Sequence, residues 1–207
     1  VARVYGVPDP RGATSAAIER LGLARRADQL AGQLSGGWKQ RLALGACILP
    51  SPELLLLDEP TAGVDPKARR EFWEEIHALA AEGITVLVST HYMDEAERCH
   101  EIAYIADGNL LARGTAEEVV AKSRLSTWVV SGPNMQALAE RLHALPGVDM
   151  VAPFGTELHV SGKDHKALDR TVSKLKTSDG QYRWKRGEPS LEDVFILLMN
   201  GTKGQPS

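Results

Sequence analysis

Four consecutive leucines, Leu54–Leu57, run straight into two carboxylates, Asp58-Glu59. A short unbroken apolar run of this kind marks a strand buried on both faces, as inside a parallel sheet. A second run, Ile84–Val88, follows a stretch with helical spacing. In that stretch Asp65-Pro66 supplies a cap and a first-turn proline, Phe72, Ile76, Leu79 and Ala80 repeat on one side, and Gly83 stops the helix. Strand, helix, strand in this order predicts a right-handed parallel crossover. The centre of the chain is therefore expected to be α/β, with carboxylates at the C-terminal edge of its sheet, where ligands of open α/β sheets bind.

The flanking segments follow from punctuation. Pro8, Pro10 and Gly12 break the first stretch, and Thr14 or Ser15 caps a helix carrying Ile18, Leu21 and Leu23. Leu34-Ser35-Gly36-Gly37 reads as a turn and Trp38–Ile48 as a helix, ended by Pro50 and Pro52. Downstream, Met93–Cys99 is a short helix, Ile102–Arg113 a hairpin turning near Asp107-Gly108, and Thr115-Ala116-Glu117-Glu118 a capping box. From about Ser126 the pattern changes to strand (127–130), helix (134–145), strands (147–153 and 157–161), helix (164–175) and strand (182–186). That order, βαββαβ, is the ferredoxin-like plan. Ser190 caps a last helix running to Asn200, and the tail 201–207 is expected to fray.

The net charge of −3 argues against a nucleic-acid partner, which calls for a basic face. Cys47 and Cys99 form no CxxC pair, so neither a metal site nor a disulfide framework is indicated, and a reducing compartment is the default. No apolar run reaches the roughly 18 residues that a membrane span requires. Val1–Gly6 reads as the end of a helix already under way, so an N-terminal part is expected to lie outside these residues.

Three segments carry chemistry. In Leu34–Gln40, two glycines allow close backbone approach to an anion, Ser35 adds a hydroxyl, and the following helix offers free N–H groups. Alone, this is equally an ordinary Ser-Gly-Gly helix entry. Asp58, just past a strand, can hold Mg²⁺, and Glu59 can act as general base on a water. An isolated Asp-Glu would more often be a solvated turn; four leucines before it and Pro60-Thr61 after it make the segment far more specific. His91 lies past the next strand and can reach the same crevice, where a neutral imidazole could bond a γ-phosphate. On its own it would more often be a lone histidine at a strand end. Asp65 serves as a helix cap, as an interface contact, or as both.

In this order and spacing the segments resemble the nucleotide-binding domain of ABC transporters over roughly residues 1–120. Leu34–Gln40 resembles the signature loop, Leu54–Glu59 Walker B with the catalytic glutamate, Ala62–Asp65 the D-loop, and His91 the switch histidine. The remainder, ending in Pro189–Phe195, is similar to the C-terminal extension of multidrug and polysaccharide exporter ATPases. The resemblance implies a partial P-loop NTPase sheet with a helical subdomain over 1–122 and a ferredoxin-like extension over 123–207. It implies an ATPase subunit of an exporter, with ATP and Mg²⁺, at the cytoplasmic face of the membrane. Its partners would be a second ATPase domain, identical or not, and a transmembrane permease. Two such domains sandwich ATP head to tail. Glu59 and His91 would be catalytic and Asp58 would hold the metal, serving the chain's own nucleotide. Ser35, Gly36 and Gly37, with Gln40 and Asp65, would bind across the interface.

The family's Gly-x-x-x-x-Gly-Lys-[Ser/Thr] loop occurs nowhere in the 207 residues, nor does the glutamine expected before the helical segment. The chain alone is therefore expected to bind ATP very weakly and not to hydrolyse it. The alternatives are a remnant that lends its signature loop to an intact partner, or an ABC ATPase working on DNA or ribosomes. Without neighbouring strands the sheet is expected to show bare edges and faces.

Overall fold

The computed structural model describes residues 1–202 and divides into two compact units, Val1–His91 and Tyr92–Ser207. In the first, α1 (Pro10–Arg20) starts earlier than the Thr14/Ser15 cap suggested. Asp9 caps it by accepting from the Gly12 N–H at 3.0 Å, and Pro10 stands at its first position rather than breaking it. Thr14 instead donates its hydroxyl back to the Pro10 carbonyl, 2.6 Å away. After two short 3₁₀ turns comes α2 (Gly36–Ile48), then β1 (Leu54–Asp58), α3 (Pro66–Ala81) and β2 (Thr85–Ser89).

Strands β1 and β2 pair in parallel, with Asp58 opposite Ser89. Helix α3 buries Phe72, Trp73, Ile76 and Leu79 and ends at Gly83, whose φ of +97° suits glycine. Arg20 reaches across from α1 to Glu75 and Glu82 of α3.

The leucine run does not lie buried on both faces. Leu55 is 4% exposed, whereas Leu54, Leu56 and, on β2, Leu87 are 52%, 68% and 63% exposed. Side chains alternate along a strand, and within this unit one face of the pair is covered while the other stands open.

The second unit opens with α4 (Met93–Ala96) and the hairpin β3 (Ile102–Ala106) and β4 (Asn109–Gly114). Asp107 and Gly108 both have positive φ, as a two-residue turn of this hand requires. Helix α5 (Ala116–Ser123) is capped by Thr115, which accepts from the Glu118 N–H at 3.1 Å. Then follow β5 (Ser126–Ser131), α6 (Met135–Leu142), β6 (Met150–Phe154), β7 (Glu157–Gly162), α7 (His165–Ser178), β8 (Arg183–Gly187) and α8 (Leu191–Thr202). Strand order β6-β7-β5-β8, antiparallel throughout, is what the βαββαβ reading calls for. Val130, Val160, Leu138, Leu142, Leu168 and Val172 form its core.

A second core joins Ile102, Val119 and Leu125 to Leu191, Val194 and Phe195 of α8, with Tyr104 stacked on Phe195 at 4.3 Å. Residues 93–123 thus share a core with the C-terminal helix, a different cut through the chain from the family-based division at 122/123. The expected fray of the tail falls partly on α8, which runs to Thr202; residues 203–207 lie outside the described residues.

The α7–sheet contact carries a pH signature. The Trp128 indole N–H, 2.8 Å from Asp169 Oδ1, together with the Arg186 guanidinium, holds the Asp169 carboxyl below the usual carboxylate range. A depressed folded pKa gives stability that is present above the unfolded value of about 4 and is lost as pH falls through the folded one. Asp169→Asn should therefore flatten the acid limb of the melting curve. Thermal melts of both proteins across that limb check this, and parallel curves would refute it.

Candidate functional site

All eight residues singled out in the sequence lie in the first unit. Asp58 ends β1, and its carboxylate accepts a hydrogen bond from the Ser89 hydroxyl at the end of β2. The next residue leaves the strand through a left-handed conformation: Glu59 has φ +41°, uncommon outside glycine. Its N–H donates to the Ser89 carbonyl at 3.0 Å, so the chain stays pinned to β2 as it turns. The Glu59 side chain then meets His91, with Oε1 3.0 Å from Nδ1. Both side chains are about half exposed, at 50% and 57%. The parallel register thus delivers Asp58, Glu59, Ser89 and His91 to one edge of the strand pair.

Ser89 was not among the expected site residues. The signal was available: the two strands end on polar side chains that fall opposite each other once the register is drawn. Only pairing reveals it, because Ser89 alone is an ordinary strand-end serine.

The turn after Glu59 is held by Ala62 N–H to Glu59 carbonyl and Val64 N–H to Thr61 carbonyl, both 3.1 Å. Thr61 is buried at 1% exposure, and Gly63 takes φ +69°. Asp65 then caps α3, accepting from the N–H groups of Lys67 (3.1 Å) and Ala68 (3.0 Å). Replacing a cap of this type costs about 1 kcal/mol. Asp65→Ala should lower the urea midpoint of the chain accordingly, and an unchanged midpoint would count against the cap.

Ser35, Gly36 and Gly37 open α2 with Ser35 in the N-cap position. Ser35 makes no side-chain capping bond, so the first N–H groups of the helix are not satisfied by that side chain, and Ser35 and Gly36 are exposed. Gly37 is needed for packing as well, whereas Gly36 has room for a Cβ at ordinary contact distance. A Cβ on Gly37 would lie 2.9 Å from Ala68 Cβ, and one on Gly36 3.6 Å from the Gly63 carbonyl oxygen. The Ser-Gly-Gly entry is therefore seated on the 59–65 turn and the start of α3. Gln40 is half-buried in the first turns of α2. Two guanidiniums lie over the Trp38 ring, Arg26 at 4.7 Å and Arg41 at 5.3 Å from its centre, and Arg41 also binds Glu71 of α3. That contact ties the loop to the helices behind it.

The donors at the strand edge are hard oxygens: two carboxylates and a hydroxyl. They suit Mg²⁺, which takes one or two protein carboxylates and fills its remaining positions with water and phosphate. No group of three or more His, Cys, Asp or Glu arranged for a metal occurs among the described residues.

Residues 9–62 match the family model described as ABC transporter. The chain is 34% identical to the Nod factor export ATP-binding protein I of Burkholderia thailandensis, over 95% of this chain and 64% of that protein. It is 34% identical to the probable multidrug ABC transporter ATP-binding protein YbhF of Escherichia coli, over 89% of this chain and 32% of that one. Among solved structures, a nucleotide-free ATP-binding cassette from an ABC transporter matches with a TM-score of 0.51 and 28% identity, over 54% of this chain and 44% of that one. CbiO1 of Clostridium perfringens, part of the ABC transporter complex CbiONQ, matches at 0.50 and 30%, over 55% and 46%. The chain spans less than two thirds of the length of these relatives.

Proposed function

Since the chain belongs to the ABC transporter ATP-binding domains, by sequence along most of its length and by fold, we propose that it is the downstream part of an ATP-hydrolysing subunit that drives an exporter. The observation that carries this reading is the contact of Glu59 with His91 at 3.0 Å, beside Asp58 and at the ends of two parallel strands. One carboxylate and one imidazole converge there on a single exposed point.

In this reading Glu59 accepts the proton of the attacking water. His91, hydrogen-bonded to Glu59, orients that carboxylate and offers its second ring nitrogen to the terminal phosphate. Asp58, steadied by the Ser89 hydroxyl, holds Mg²⁺, which when bound neutralises charge on the phosphates. Ser35, Gly36 and Gly37 present N–H groups and the positive end of α2 to a nucleotide held by a second domain. Gln40 supports the same helix start, and Asp65 sets the turn against which the loop rests. The membrane face, the permease and the second ATPase domain belong to this proposal, as does the separate role of the extension from residue 123.

ATP also needs a phosphate-cradling loop with its lysine, a sequence these 207 residues do not contain. The test uses a fluorescent ATP analogue and a phosphate-release assay. The 207-residue chain should bind far more weakly than micromolar and show no turnover. Joined in frame to a family segment bearing that loop, it should hydrolyse ATP, and Ser35→Arg should abolish the activity. Micromolar binding by the unextended chain, or turnover indifferent to Ser35→Arg, would overturn the proposal.

A further inference from the structure

Residues 163–186 carry eight Lys and Arg against three Asp, within a chain whose net charge is −3. The structure separates the engaged cations from the rest. Lys185 pairs with Glu157 at 3.2 Å, Arg186 with Asp169 at 2.9 Å, and Lys176 lies over the Trp128 ring at 4.1 Å. The β8 cluster that the sequence suggests as a basic patch is thus largely neutralised.

What remains is a stripe on α7. Lys166, Arg170 and Lys174 stand at i, i+4 and i+8, all exposed, on the side of the helix opposite the buried Leu168 and Val172. Successive charges are about 6 Å apart along the axis. None of the three forms a salt bridge among the described residues. Asp164, at the start of the helix, is committed to the cap, accepting from the Ala167 N–H at 3.0 Å, and its charge also acts on Arg170. Arg170 donates its Nε–H to the Lys166 carbonyl, 3.2 Å away, and stays exposed. Only Ser173 and Thr177 share this face. Like charges at i, i+4 weaken a helix, and among the described residues only Arg170 of the three has an acid acting on it, the capping Asp164.

We propose that this face of α7 is a docking surface for an anionic phospholipid bilayer. The apolar side of α7 is packed in the core, so the helix cannot insert, and its contact is electrostatic at headgroup level. A row of cations with no acid between them and no required spacing fits a fluid sheet of negative charge. Nucleic acid fits less well. Single strands need exposed aromatics on which bases can stack, whereas Trp128 and Trp184 lie half-buried against the unit's core. The chain as a whole is also acidic. The inference rests on the exporter reading for one thing, the nearness of a bilayer.

The test is co-sedimentation of the full chain with phosphatidylcholine vesicles, with and without phosphatidylglycerol. The uncovered leucines of β1 and β2 are common to every sample, and the phosphatidylcholine arm subtracts them. Binding should require phosphatidylglycerol and weaken steeply with salt. At about fivefold per cation, K166Q/R170Q/K174Q should lower it by about a hundredfold, with helix content by circular dichroism unchanged. Equal binding to both vesicle types would overturn the proposal, as would full retention by the triple variant. So would release from the vesicles by a trace of duplex or RNA competitor, which would identify a nucleic-acid partner instead. The assay contains neither nucleotide nor permease, so its outcome is independent of the ATP experiment.

Discussion

Glu59→Gln, in an assembly that supplies the phosphate-cradling loop, is expected to slow ATP turnover by about 10² to 10⁴-fold, the range that a positioned general base contributes. The substitution preserves shape and hydrogen bonding. Its amide oxygen can still accept from His91, so the 3.0 Å contact survives in the tautomer that donates from Nδ1. What is lost is the ability to take a proton. Nucleotide affinity should therefore hold while the chemical step fails, a fall in kcat with KM little changed. His91→Ala leaves the carboxylate and removes its orienting partner, so it should reduce kcat less. If Glu59→Gln turned over at the parent rate, Glu59 would not be the base.

The second large effect lies far from that chemistry. Asp193, in the first turn of α8, is fully buried. One carboxylate oxygen lies 3.0 Å from His159 Nδ1 on β7, and the other accepts the Ser190 N–H at 2.8 Å. In return the Ser190 hydroxyl accepts the Asp193 N–H at 3.1 Å, a reciprocal cap at the helix start. Phe154 stacks on the His159 ring at 4.1 Å, closing the other side. Asp193→Ala strips a partner from the His159 ring and from the Ser190 N–H, both half-buried, and should cost about 2 kcal/mol. Asp193→Asn keeps an acceptor and should cost about 1 kcal/mol. Urea denaturation followed by far-ultraviolet circular dichroism reads both. Equal midpoints for parent and Asp193→Ala would show that the buried carboxylate contributes nothing.

Much of this was legible from local punctuation. Asp65-Pro66, Thr115 and Ser190 each cap a helix because a short oxygen-bearing side chain before a helical run leaves few other options. Asp107-Gly108 fixed the hairpin for the same reason: two positive φ angles in sequence suit few other pairs. The four-strand order followed from βαββαβ itself. The convergence of Glu59 and His91 was readable because both lie just past parallel strands, which end at the same edge.

What was not legible depends on pairing and coverage. Ser89 gains a role only from standing opposite Asp58. The run Leu54–Leu57 contains the pattern of a strand buried twice over, yet what covers a face is decided by other elements, and Leu54 and Leu56 stand open. On β8 the sequence displayed basic residues without saying which were already matched; Glu157 and Asp169, distant in sequence, settled that. Asp9 was overlooked because Pro10 was read as a breaker when it was in fact a starter.

The left-handed backbone at Glu59 has a consequence for how this chain responds to selection. A side chain held there carries a penalty of about 1 kcal/mol that glycine escapes. Glu59→Gly should therefore fold at least as well as the parent while deleting the carboxylate. A search for heat-resistant variants, scored only on solubility or melting, would enrich that substitution and return proteins that endure but do no work. Durability and turnover compete at a single backbone angle, so any such screen must score activity in the same round.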